Sequence, residues 1–229
     1  MKGKALGVAF RDTIPVMTGY LFLGIGFGVL LHETGYGTLW SLAMGLFIYA
    51  GSAQYLTVSL LASGASLVST AVSVLLLNAR HLFYGLSMLE RYQNTGKKKP
   101  YLIFSLTDET YSLVSQKEPP EGTKRHSYYF WVSLLNHSYW VAGCTLGGLL
   151  GAALPFSLRG IDFVLTALFV MIFVEQWLST KDHVPALIGA GSTAVCLLIF
   201  GKELFLIPSL ILISILLTLT RQKGKEAAK

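Results

Sequence analysis

The chain of 229 residues is 53% hydrophobic and only 13% charged, with a mean hydropathy of +0.57. Ordinary soluble domains carry about 25% charged residues, so the composition excludes that class and indicates an integral membrane protein. A formal charge of +6 does not indicate nucleic acid, because 14 of the 18 Lys and Arg fall in three clusters beside apolar segments and no aromatic-interleaved basic surface is left.

Apolar stretches run over 14–32, 38–62, 64–90, 128–153, 161–179, 184–200 and 203–220. Several approach the about 20 residues that a spanning helix needs, and their Leu, Ile, Val, Gly and Ala content lacks the alternation of a membrane β-barrel. The predicted class is an all-α polytopic membrane protein forming a single domain. The first stretch follows Lys2, Lys4 and Arg11, yet it exceeds the about 7–15 apolar residues of a signal peptide and ends in His32-Glu33-Thr34, so it is predicted to be a retained helix. Its Gly24-x-x-x-Gly28, like Gly143-x-x-x-Gly147-x-x-x-Gly151 later, has the spacing of a helix-packing face. Cys144 and Cys196 lie in apolar segments with neither disulfide nor zinc spacing.

The second stretch is interrupted by Tyr49-Ala50-Gly51-Ser52-Ala53-Gln54. These small residues and one amide read either as close helix packing or as an unwound turn presenting backbone groups to a zwitterion. The third carries Asn78-Ala79-Arg80-His81 directly after Leu75-Leu76-Leu77. An Arg at a helix centre costs about 2.5–3.5 kcal/mol, which five flanking Leu and Phe at about 0.3–0.6 kcal/mol each roughly balance. Arg80 is therefore either a fixed cation for a substrate carboxylate, with His81 beside it, or a residue that snorkels or is neutralised by Glu175 or Asp108.

The basic clusters at Lys2–Arg11, Arg91–Arg125 and Arg221–Lys229 place both termini and the central loop in the cytoplasm. A single crossing by 64–90 would put Arg91 outside, so a hairpin with NARH at its turn is predicted. Thr107-Asp108-Glu109-Thr110 splits an apolar segment over 101–114, which lies either at the cytoplasmic surface or in the cavity, where the acids bind an ammonium or carry a proton. Asn136 and His137 are either buried hydrogen-bonding residues or pore-lining ones and are not assigned to the site. Glu175 either snorkels beside Trp177 or serves in coupling.

Three matched patterns suggest an internal duplication. Tyr20-x-x-x-Gly24-x-x-x-Gly28, Gln54-Tyr55-Leu56 and Ser69-Thr70-Ala71-Val72 correspond to Tyr139-x-x-x-Gly143-x-x-x-Gly147, Gln176-Trp177-Leu178 and Ser192-Thr193-Ala194-Val195, at offsets of 119, 122 and 123. Two repeats are predicted, over about 10–90 and 128–220, joined by a linker over 91–127 and followed by a basic tail over 221–229.

The motifs YAGSAQ, NARHLFYG and TDETYSL, in this order and with the Gly-rich first helix, resemble the AzlC or azaleucine-resistance family, the large subunit of branched-chain amino acid exporters. The resemblance covers nearly the whole chain; Tyr111 replaces a phenylalanine common in the family. It implies export of leucine, isoleucine, valine and analogues, and a small separate hydrophobic subunit of the AzlD type. Candidate substrate residues are Arg80, Asn78, Gln54, Ser52 and Asp108; candidate proton-coupling residues are His81, Asp108, Glu109 and Glu175. No cofactor, nucleotide-binding loop or metal site is expected, so the gradient of a proton or other ion would drive export. The competing readings are a membrane-embedded enzyme using His81 with Asp108 or Glu109, and a passive channel.

Overall fold

The computed structural model describes residues 2–117, 119, 123–153, 170, 173, 174, 177, 178, 180 and 182–226. All regular elements among them are helical: α1 (Lys2–Glu33), α2 (Thr38–Phe47), α3 (Gly51–Ala62), α4 (Leu67–Asn78), α5 (Arg80–Ser87), a 3₁₀ turn (Gly96–Lys98), α6 (Lys99–Phe104), α7 (Asp108–Gln116), α8 (Arg125–Ala153), α9 (Val184–Leu204) and α10 (Leu206–Glu226). Lys4–Glu33 and Val184–Gly201 are long and apolar enough to cross a membrane. Phe22, Leu39 and Phe47 are 72%, 76% and 73% exposed, an apolar surface that water would not tolerate over such an extent but lipid would. Two compact units divide the chain, Met1–Leu165 and Thr166–Lys229. In the second, α9 and α10 pack on each other, and α9 is broken at Gly201, whose φ of 71° suits a residue without a Cβ.

The first unit is organised by the pair α1 and α8. They run in parallel, since Asp12 meets Tyr128, Gly24 meets Gly143, and His32 meets Gly151. The predicted glycine faces are the reason for their closeness. A Cβ on Gly143 would lie 2.9 Å from the Tyr20 carbonyl, and one on Gly147 would collide with the Ile25 carbonyl. Bare Cα atoms let the backbones touch, the way helices associate where lipid gives no hydrophobic drive. Cys144 and Cys196 are free and buried, as their apolar setting predicts.

Two broken hairpins fold against this pair. α2 runs down α8: Thr38 and Ser41 face Gly148, Gly45 faces Cys144 and Val141, and Tyr49 packs against His137 with ring centres 4.3 Å apart and the rings tilted by 35°. At 48–50 the helix ends, with Tyr49 at φ 45° and its N–H folded back to the Met44 carbonyl. α3 then carries Tyr55 to the Leu23 carbonyl and the Phe27 ring of α1, beyond Tyr20 in the direction in which α1 runs, so the chain doubles back. The second hairpin enters from the other end. Lys98 lies over Phe130, the Tyr101 hydroxyl reaches His137, the chain breaks at 105–107, and α7 returns until Lys117 pairs with Asp12 at 2.8 Å. Thr107 caps α7 by accepting the Thr110 N–H, and the acids that follow it open that helix.

The turn expected at NARH is absent. Ala79 keeps right-handed helical angles, φ −56° and ψ −27°, its N–H donates to Leu76 and its carbonyl accepts from Leu82. With no left-handed or extended residue the backbone bends there and cannot reverse. The reversals sit instead at 48–50 and 105–107.

Replacing Gly147 by Leu forces two backbones apart and should cost upward of about 3 kcal/mol. Loss of folded protein in a detergent melting assay is the expected outcome for Gly147→Leu, with Gly19→Ala, whose added Cβ meets nothing within 4 Å, melting like the parent.

Candidate substrate site at two helix breaks

The tips of both hairpins arrive at one turn of α8. Gln54, in the first turn of α3, accepts the Trp140 indole N–H at 2.8 Å and the Ala50 N–H at 3.2 Å on the same oxygen, which ties the first tip to α8 and fixes the orientation of its amide. A Cβ on Gly51 would stand 3.0 Å from the indole, so a larger residue there would crowd this contact. At the second tip the Tyr20 hydroxyl donates to Glu109 at 2.6 Å and lies 2.7 Å from the Thr107 hydroxyl. Asn136 donates to the Thr110 hydroxyl at 3.0 Å, and Tyr101 and His137 are 3.1 Å apart. Rings close the remaining gap: Tyr20 packs edge-on to Tyr49 and Trp140, and Phe104 lies 6.3 Å from Tyr49 and 5.7 Å from His137.

This knot is held at a cost. A bulky residue in the left-handed region is disfavoured by about 1–3 kcal/mol, and Tyr49 keeps that conformation because its ring is enclosed on every side. The Tyr49 hydroxyl, Gln54 Nε2, Asn136 Oδ1 and His137 Nε2 are all buried without a hydrogen-bond partner. Each such atom costs about 1–3 kcal/mol. Natural structures retain that much unsatisfied polarity in one place where something else is bound or moved.

Beside the knot lies an apolar cavity of about 710 Å³. All three sequence interruptions border it: Tyr49 and Ala50 from the first tip, Phe104 and Leu106 from the second, and Asn78, Ala79 and His81 from the α4–α5 joint. Leu75, Leu76, Leu82 and Ile103 supply its apolar wall. Asn78 Oδ1 is buried there without a partner, and His81 Nδ1 lies 3.1 Å from the Asn78 carbonyl.

Of the sequence-predicted residues, two border the cavity, Asn78 and His81, and four stand in the first turns of the helices that open at the tips, Ser52 and Gln54 in α3 and Asp108 and Glu109 in α7. The side chain of Arg80 and the whole of Glu175 lie outside the described residues. No group of three or more metal-ligating side chains occurs among the described residues. The sequence reading assigns no site role to Tyr20, Tyr49 or Trp140, and leaves Asn136 and His137 open between hydrogen bonding and pore lining. The signal for the α8 residues was the adjacent Asn136-His137 pair in an otherwise apolar and aromatic segment.

Comparison with known proteins adds a family to this geometry. Residues 15–154 match the family model described as AzlC protein. The branched-chain amino acid transport protein AzlC of Bacillus subtilis (strain 168) is 42% identical over 219 residues, covering 96% of this chain and 86% of that protein. An uncharacterized membrane protein of Haemophilus influenzae is 44% identical over 217 residues, 94% of this chain and 89% of its own length. The inner membrane protein YgaZ of Escherichia coli is 28% identical over 214 residues, 90% and 84% of the respective chains. No solved structure matches. The matched region contains both hairpins, the cavity and the α8 knot, and on this footing the chain belongs to the AzlC family.

Proposed function

We propose that this protein is the large subunit of a secondary exporter of leucine, isoleucine, valine and their analogues, working with a small AzlD-type membrane subunit. The observation that carries the reading is the cavity: an apolar chamber bordered by three helix interruptions, in a chain 42% identical to a branched-chain amino acid transport protein. Transporters bind substrate at such interrupted helices, where free backbone groups serve as ligands and protein encloses them. The apolar wall suits an aliphatic side chain, and the polar tips suit a charged head group.

Arg80 opens α5 at the cavity's edge and is proposed as the cation that draws the substrate carboxylate inward, with Asn78 and His81 beside it. Glu109, braced by Tyr20, is the leading proton carrier, with Asp108, His81 and Glu175 as the other candidates. Lys117, paired to Asp12 near the start of α1, supports a cytoplasmic position for this end of the fold and for both termini. The register of Gly24 on Gly143 and the break at Gly201, which follows Ala79 by 122 residues, support two parallel repeats.

Arg80→Ala should abolish labelled valine transport in inverted vesicles containing the partner while membrane insertion stays normal; wild-type flux would remove Arg80 from the pathway. Collapse of the proton gradient should end accumulation above equilibrium in the wild type. Glu109→Gln should lose uphill accumulation yet retain valine exchange down a gradient, whereas undiminished uphill transport would exclude Glu109 as the carrier.

A further inference from the structure

Lys97, Lys98 and Lys99 are consecutive in the sequence and have three different surroundings. Lys97 is exposed, Lys98 lies over the Phe130 ring of α8 at 4.5 Å, and Lys99 borders the apolar cavity. Positive charge beside a membrane segment requires only that the three be present, so the place of the third on the cavity wall calls for another reason. Lys99, Ile103 and Leu106 line one wall at the spacing of a single helix face, and His81, Gly85, Met88 and Tyr92 line another in the same way. The two walls are joined by the turn over 93–98. No hydrogen bond or ion pair engages the Lys99 ammonium among the described residues. Tyr92, just before this turn, is 2% exposed, and its hydroxyl is buried without a partner. A free cation and an unmet donor thus border one end of a chamber whose lining is otherwise apolar apart from Asn78 and His81.

Positions along α8 give the depth of that end. Lys98 over Phe130 puts it near the start of α8, where Tyr128 reaches Asp12, whereas Tyr49, which also borders the cavity, packs against His137. Seven residues of helix separate Phe130 from His137, about 10 Å, further than one amino-acid head group can span. We infer that Lys99 and Tyr92 form a carboxylate-binding mouth to the cavity, on the face proposed as cytoplasmic. The Lys99 ammonium and the Tyr92 hydroxyl donate to the carboxylate of an entering amino acid, and its aliphatic chain lies along Met88, Leu89 and Ile103. The inference rests on the transport reading above and deepens it, because it adds a station ahead of Arg80, to which the carboxylate then passes. The head group of an anionic lipid offers this mouth the same chemistry, and the lipid composition of the vesicles separates the two.

Lys99 is half-exposed and unpaired among the described residues, so Lys99→Gln costs the fold little. In partner-containing inverted vesicles it should raise the KM for valine about ten-fold and leave the maximal rate within about two-fold of the parent. Tyr92→Phe keeps the ring and should raise the KM about five-fold. Valinamide has the same chain and ammonium without the carboxylate, and its inhibition of valine transport should be as strong in both variants as in the parent. Lys97→Gln removes an equal charge from an exposed position and should behave like the parent, while Lys99→Arg should keep most of the affinity. The shifts should persist in partner-containing vesicles made of phosphatidylcholine alone; their disappearance there would assign Lys99 to an anionic lipid and overturn the inference. So would a parental KM in Lys99→Gln, or valinamide inhibition weakened as much as valine transport, and neither result touches the transport reading. A parental KM in Tyr92→Phe alone removes the hydroxyl from the mouth. If the wild type carries a different α-amino acid and shows the same variant effects on it, the mouth stands and the branched-chain reading falls; if it carries none, both fall.

Discussion

Backbone groups released from a helix inside a membrane have no water to turn to, so protein or a wet chamber has to enclose them. This constraint governs the first unit of the fold. The chain interrupts two helices, at 48–50 and 105–107, and brings both interruptions to the same turn of α8. Side chains from α1 and α8 meet the loose ends: Trp140 through Gln54 at one tip, Tyr20 through Thr107 and Glu109 at the other. The breaks are tolerated because they share one enclosure.

That enclosure depends in turn on bare backbone elsewhere. The glycines that face each other on α1 and α8 let these two helices lie in contact, which places Tyr20 close enough to reach the second tip and Trp140 close enough to reach the first. Packing and polar chemistry are thus linked in sequence: small residues set the helix spacing, the spacing sets the reach of the aromatic residues, and those residues hold the tips. The Tyr49 backbone strain and the unpartnered buried atoms remain at the centre as the part of the arrangement that packing alone does not explain.

Much of this was legible in the residues before any coordinates. Hydropathy gave the helical class, the Gly-x-x-x-Gly spacing gave the α1–α8 face, and the small polar run at 49–54 marked a break that is present. The NARH motif misdirected the search for a turn, because a charged residue in an apolar run draws attention to itself while its backbone stays helical at Ala79. The reversals at 48–50 and 105–107 carry small or polar residues in the sequence, but what holds them is partners 86 or 87 positions away in the chain. Such tertiary support is invisible in one dimension. Asn136 and His137 were ambiguous for the same reason: a polar pair on a helix acquires a role only when its neighbours are known.

The most direct measurement is a crosslink between the tips. With Cys144 and Cys196 replaced, Tyr49→Cys combined with Phe104→Cys should be bridged in membranes by a short bifunctional thiol reagent, giving one linked peptide by mass spectrometry, while Leu67→Cys combined with Phe104→Cys should not. Failure of the 49–104 pair to link, with both cysteines shown to react singly, would contradict the meeting of the two broken hairpins on α8.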